Sequence, residues 1–111
     1  MTVAVIGSRS IRMRVDAFIP VDADVIVTGG AQGVDRAAEQ YARRRGIPCT
    51  VLKPDYSRFG RRAPLVRDQE IVSRADMVVA IWDGVSRGTA FSLKYAEQLG
   101  KEVRVYIVEG S

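Results

Sequence analysis

Five short apolar runs punctuate the chain, at Val3–Ile6, Val25–Thr28, Cys49–Lys53, Met77–Trp82 and Val103–Val108. They are rich in β-branched residues and continuous rather than alternating, the pattern of strands covered on both faces. Between them, apolar positions recur at helical spacing. Asp35–Arg45 keeps Ala37, Ala38, Tyr41 and Ala42 on one face and gathers Arg43, Arg44 and Arg45 in its last turn, where cations suit the helix dipole. It stops at Gly46, with Pro48 beyond. Pro64–Arg74 opens on a proline suited to the first helical position and reserves Leu65, Ile71 and Val72 for the core. Thr89–Leu99 is apolar on two sides, which predicts a well-buried helix ending at Gly100. The first crossover, Ile11–Ala23, is predicted to carry a short helix at Arg14–Ile19, ended by Pro20. Strands alternating with helices in this way predict an α/β fold, a parallel sheet with helices on both faces.

Three of the strand-to-helix junctions are rich in glycine: Gly7-Ser8-Arg9-Ser10, Gly29-Gly30-Ala31-Gln32-Gly33-Val34-Asp35, and Asp83-Gly84-Val85-Ser86-Arg87-Gly88-Thr89. Turns without bulky side chains let backbone N–H groups approach an anion, and the following helix aims its positive end at the same place. The three together predict a phosphate cradle at the carboxyl edge of the sheet. Gly7, Ser8 and Arg9 form its first part, although a bare Gly-Ser is also a common plain turn. Gly29, Gly30, Ala31 and Gly33 form the second. Asp35 stands where a helix N-cap belongs, and it either caps or contacts a ribose or base. Asp83, Gly84, Ser86, Arg87, Gly88 and Thr89 form the third part. Ser86 and Thr89 can cap the helix or hold phosphate oxygens, and Arg87 either clamps an anion or lies in water. Arg67, one turn into the next-to-last helix, is the basic residue expected to face the cradle. Trp82 reads as core packing, with base stacking the alternative. Neither G-x-G-x-x-G nor a Walker A lysine is present, which argues against a dinucleotide fingerprint and P-loop hydrolysis.

The length of 111 residues suits one domain, 1–111. Histidine is absent, which removes the usual general base, the usual metal ligand and any His-containing triad, so no metal site is expected. The single cysteine, Cys49, cannot form an intramolecular disulfide and reads as buried filler in a reducing compartment. With no signal-peptide or membrane-span pattern, a cytoplasmic protein is expected. The net charge of +4 and an excess of arginine over lysine suit an anionic partner. The segment Lys53–Ala63 mixes Asp55, Tyr56, Arg58, Phe59, Arg61 and Arg62, and reads as a lid, a nucleic-acid contact or a solvated loop.

The sequence resembles the SLOG superfamily, and within it the YspA-like branch of small domains. The resemblance is carried by Val3-Ala4-Val5-Ile6-Gly7-Ser8-Arg9 and by Val27-Thr28-Gly29-Gly30-Ala31-Gln32-Gly33-Val34-Asp35 with Ala38-Glu39. It continues through Tyr56, Phe59-Gly60, Ala63-Pro64 and Arg67, then Ala75–Gly84 and Ser86-Arg87-Gly88-Thr89. It implies a Rossmann-like three-layer fold with strand order 3-2-1-4-5. It further implies binding or sensing of a nucleoside phosphate, or of a ligand derived from NAD or ADP-ribose. No other cofactor is implied, while related domains commonly form homodimers. Two alternatives come with the superfamily: N-glycosidic nucleotide hydrolysis, as in LOG proteins, and single-stranded DNA binding, as in DprA. LOG proteins place a glutamate soon after their Gly-Thr; here Gly88-Thr89 is followed by Ala90-Phe91-Ser92-Leu93, leaving Asp83, Glu70 and Asp35 as substitutes and no assigned catalytic residue. Two further departures are Asp68, which stands where the resemblance leads one to expect asparagine and would alter a ligand contact, and a short first crossover, which implies a clipped helix and a less covered sheet face.

Overall fold

The computed structural model describes residues 1–109; Gly110 and Ser111, the last two residues of the expected 1–111 domain, lie outside it. Five strands form one parallel sheet: β1 (Thr2–Gly7), β2 (Val25–Thr28), β3 (Cys49–Val51), β4 (Met77–Trp82) and β5 (Glu102–Ile107). Their order is β3-β2-β1-β4-β5. Strand register sets Thr2 beside Val25 on one side of β1, and Gly7 beside Ile81 on the other. Four helices accompany them: α1 (Val34–Arg45), the single turn α2 (Tyr56–Phe59), α3 (Ala63–Arg74) and α4 (Arg87–Gln98). The chain is thus a Rossmann-like α/β fold of three layers, as expected.

Alternation along the strands feeds two cores. Val3 and Val5 of β1 with Met77, Val79 and Ile81 of β4 face α1, meeting Val34, Ala38, Tyr41 and Ala42. Ala4, Ile6, Val78 and Ala80 face the opposite layer, where Ile71 and Val72 of α3 and Ala96 of α4 cover them. Small residues on this second face let two helices approach the sheet closely.

The first crossover differs from expectation. It holds no α-helix, only a 3₁₀ turn at Asp16–Phe18. Ile11, Val15, Ile19 and Ala23 nevertheless pack on the α1 face, and Phe18 packs against Tyr106 with the rings tilted and their centroids 4.7 Å apart. Irregular backbone therefore does the covering that a helix was expected to do. Strand β5 also departs from the doubly covered reading. As the edge strand it leaves Ile107 64% exposed, with Val105 exposed beside it. Leu65, expected in the core, is 41% exposed; Ala63 takes the buried place at the start of α3. Helix α4 is less buried than predicted, with only Thr89, Ser92 and Ala96 fully covered. Cys49 is half-buried.

Candidate functional site

The order β3-β2-β1-β4-β5 sends the chain in opposite directions from β1, so the carboxyl ends of β1 and β4 flank the switch point where ligands settle in open α/β sheets. A cleft of about 440 Å³ opens there, within the range of small-molecule sites. Ten of the predicted residues line it: Gly7, Ser8, Arg9, Ala31, Asp35, Arg67, Asp83, Ser86, Gly88 and Thr89. Gly29, Gly30, Gly33, Gly84 and Arg87 do not. Ile6, Ser10, Asp68, Ile71 and Ser92 join the lining without having been predicted.

Most glycines of the first two turns serve packing. A methyl group on Gly7 would collide with the Ile81 carbonyl and the Val34 side chain. At Gly33, which has φ +75°, an added Cβ would lie 2.5 Å from the Ser8 carbonyl and 2.6 Å from that of Arg9. These close approaches bring the end of β1 against the start of α1. The Ser8 amide is also committed, donating to Ile81 O at 3.1 Å. Of the amides expected to be bare in Gly7–Arg9, that of Ser8 is therefore spent on the protein itself.

Asp35 is not the N-cap of α1. Gly33 holds that position and Asp35 lies in the first turn, its carboxylate accepting the Ala31 amide at 3.2 Å. It is 8% exposed, and burial raises its pKa above the ordinary carboxylate value, opposed by the Ala31 amide. Arg67 reaches the cleft from α3, yet its guanidinium is engaged by the protein. Nη1 donates to Gly29 O at 2.8 Å and to Leu52 O at 3.4 Å, and Nε to Asp68 Oδ1 at 2.8 Å. Arg67 thus ties the ends of β2 and β3 to α3. Burial likewise raises Asp68, with Arg67 opposing and the charge of Asp35 adding to the rise. Asp68 had a signal in the sequence: it precedes Ile71 by three residues and Val72 by four, the spacing of one helix face.

The third turn is organised by its own carboxylate. Asp83 accepts the amides of Val85 (2.9 Å) and Ser86 (2.8 Å) and the Ser86 hydroxyl (2.7 Å). Those bonds lower its pKa to about 2, so Asp83 is an ionised turn-builder and not a proton donor. Ser8 Oγ accepts the Asp83 amide at 3.0 Å and lies 3.1 Å from Ser86 Oγ, which can accept the Ser8 proton because its own is given to Asp83; the first turn is thereby fastened to the third. Trp82 Nε1 donates to Ser86 O at 3.1 Å, so the indole also secures this turn and does not line the cleft. The amides of Val85 and Ser86 are consequently unavailable to an anion, contrary to expectation.

The start of α4 is different. Ser86 occupies the N-cap position, but its hydroxyl is turned to Asp83 and Ser8 and makes no cap bond. The first intrahelical bond of this turn runs from Ala90 N to Ser86 O at 3.2 Å. The amides of Arg87, Gly88 and Thr89 precede it, among the orphan donors every helix presents at its N-terminus. Gly88 and Thr89 line the cleft; a Cβ on Gly88 would touch nothing within 4 Å.

Glu70, one of the substitutes considered for a catalytic carboxylate, does not line the cleft and pairs with Arg74 at 2.7 Å. Tyr56–Phe59 forms α2, capped by the Asp55 carboxylate on the Arg58 amide, with Arg58 5.1 Å over the Phe59 ring. Tyr56, Phe59, Arg61 and Arg62 are exposed there. Among the described residues no group of three or more His, Cys, Asp or Glu is placed to hold a metal ion, and no helix is long and apolar enough to cross a membrane.

No curated protein and no solved structure gives a significant match to this chain. A protein-family model does match, over residues 1–59, which carry the first two glycine-rich turns and end at Phe59; the third turn and α4 lie beyond it. The matched segment is more than half of the 111 residues, and it joins the Gly7 and Gly33 contacts to a sheet of order 3-2-1-4-5: the chain belongs to the YspA, cpYpsA-related SLOG family.

Proposed function

We propose that the protein binds a nucleoside phosphate in the cleft, with the phosphate over the first turn of α4. Membership of the SLOG family suggests a nucleotide-related role. The observation that carries the finer reading is the helix start without a side-chain cap, opening on a cleft that Gly88 and Thr89 line. Orphan amides and the positive end of the helix dipole favour an anion there. Arg9, which lines the same cleft, adds a cation able to reach a phosphate. A nucleoside monophosphate, or the corresponding part of an NAD- or ADP-ribose-derived ligand, is the ligand class of this reading.

The test is native mass spectrometry of freshly purified protein, followed by calorimetric titration with AMP, ADP-ribose and NAD. A retained nucleotide, or saturable binding of one of these, is expected. No retained nucleotide and no binding by any of the three at millimolar concentration overturns the proposal.

One observation favours a second reading, N-glycosidic hydrolysis: two carboxyls, Asp35 and Asp68, line the cleft with raised pKa values. A protonated carboxyl beside a nucleotide can act as a general acid. Release of free base from AMP, lost in Asp35→Asn, is the outcome this reading requires.

A further inference from the structure

The phosphate reading leaves Asp35 and Asp68 without a task. Both line the cleft, one from α1 and one from α3. The Asp68 side chain is 16% exposed and that of Arg67 11%. Asp68 Oδ1 receives Arg67 Nε, and Nη1 of that guanidinium is held by the carbonyls of Gly29 and Leu52. Arg67 is therefore anchored in the wall and cannot swing out to grip an anion without breaking these bonds. The Asp68 carboxylate lines the cleft, and its hydrogen bond to Arg67 is made through Oδ1.

The cleft is thus electrically polarised. Its α4 side attracts negative charge, while Asp35 and Asp68 repel it. A ligand bearing phosphate at one end must bring uncharged hydrogen-bond donors to the other. Ionised carboxylates accept and never donate, and two together match a pair of neighbouring hydroxyls. We propose that Asp35 and Asp68 form a diol-reading pair, accepting hydrogen bonds from the 2′- and 3′-hydroxyls of the ligand's ribose and excluding ligands that lack or phosphorylate them. This inference rests on the reading that the cleft holds a nucleoside phosphate. The carboxylate at position 68 matters here, because an asparagine there would present one acceptor oxygen and two donor hydrogens instead of acceptors alone.

The ribose preference also follows pH. Asp68 faces Arg67 on its own helix, Asp35 from α1 and Arg9 from the segment after β1. Asp35 faces Arg67 and the Cys49 thiol. Hydroxyl donors favour the ionised carboxylates, so the preference grows as pH rises and these groups lose their protons.

The experiment compares the dissociation constants of AMP and 2′,3′-dideoxy-AMP for the wild type and Asp68→Asn, from about pH 4.5, near the carboxyl range, to about pH 8. The two ligands carry the same phosphate, so its own titration cancels in their ratio. At neutral pH the wild type is expected to favour AMP about tenfold to hundredfold, the loss expected for hydrogen bonds to charged groups. Asp68→Asn is expected to reduce that ratio to within about threefold and to flatten its pH dependence; loss of a repelling charge strengthens the binding of both ligands alike, so their ratio is the readout. Equal affinities in the wild type, or a ratio unaltered by Asp68→Asn, overturn the inference while leaving the nucleotide site intact. Binding of neither compound overturns both. Should the variant fail to fold, the wild-type ratio decides.

Discussion

The turn after β2 and the turn after β4 are both rich in glycine, and the structure uses them in opposite ways. In the first, Gly29, Gly30 and Gly33 are crowded: an added Cβ would meet Arg67 and Asp35 at Gly29, Val51 at Gly30, and the carbonyls of Ser8 and Arg9 at Gly33. In the second, a Cβ on Gly84 or Gly88 would meet nothing within 4 Å. Glycine in the first turn lets protein approach protein; in the second it keeps a helix start bare. A glycine-rich junction is evidence for a ligand only where the space it leaves is not taken by the fold itself.

Gly33→Ala should break the first half of this contrast most severely. It combines a left-handed φ with contact on two backbone carbonyls that no rotamer can relieve. A loss of about 3 kcal/mol in denaturant-derived stability is expected. A loss below about 0.5 kcal/mol, the range of an ordinary surface substitution, would contradict the packing role.

Asp83→Ala acts on the second turn. It strips the acceptor from the amides of Val85 and Ser86 and from the Ser86 hydroxyl, so a lower melting temperature and a weaker nucleotide affinity are both expected. The folded pKa of about 2 lies below the ordinary 3.8, so this carboxylate stabilises the fold at neutral pH. Its contribution fades only as pH falls through that interval. Acid titration of the wild type against the variant checks the sign: the gap between them should narrow below pH 3.8 and not above it.

Gly88→Ala separates stability from binding. Alanine replaces glycine inside a helix with free space around it, and a gain of up to about 1 kcal/mol in stability is expected. The same methyl group crowds the proposed phosphate position, so nucleotide affinity should fall about tenfold, or about 1.4 kcal/mol. Unchanged affinity in a stabilised variant would move the phosphate away from α4.

The smallest effect is expected for Asp68→Asn on stability. The folded carboxyl binds its proton more tightly than the unfolded one, so wild-type stability declines as pH rises from 3.8 through the raised value. The variant lacks that decline and should be as stable as the wild type at pH 7 or better, by at most about 1 kcal/mol after solvent screening. Thermal melts across the acid range read this directly, and a variant markedly less stable at pH 7 would contradict it.

Much of the fold was legible because its strands are short, apolar and sharply bounded. β2 and β4 fall on the residues that hydrophobicity picked out, and α1, α3 and α4 lie within two residues of the predicted ends. The first crossover was legible in its shortness, which implied a clipped helix, but not in its backbone. Ile11, Val15, Ile19 and Ala23 are spaced by four, as in a helix, yet they pack as coil around the Asp16–Phe18 turn. The exposure of β5 was missed because hydrophobicity alone does not separate an edge strand from a central one. At the site, glycine marked the right junctions but not which amides the protein keeps for itself. That depended on Asp83 and Ser8 bonding across 75 residues, a contact no local pattern carries. Asp68 stood out only as a departure from the resembled family, while its neighbour Arg67 drew the functional reading.

The most direct test of the account is an amide-resolved NMR titration of the protein with AMP. The account predicts that the largest shifts fall on the amides of Arg87, Gly88 and Thr89, with those of Val85 and Ser86 moving less because Asp83 already holds them. Shifts centred on the exposed aromatic and basic residues of Tyr56–Arg62, with the start of α4 unmoved, would contradict it.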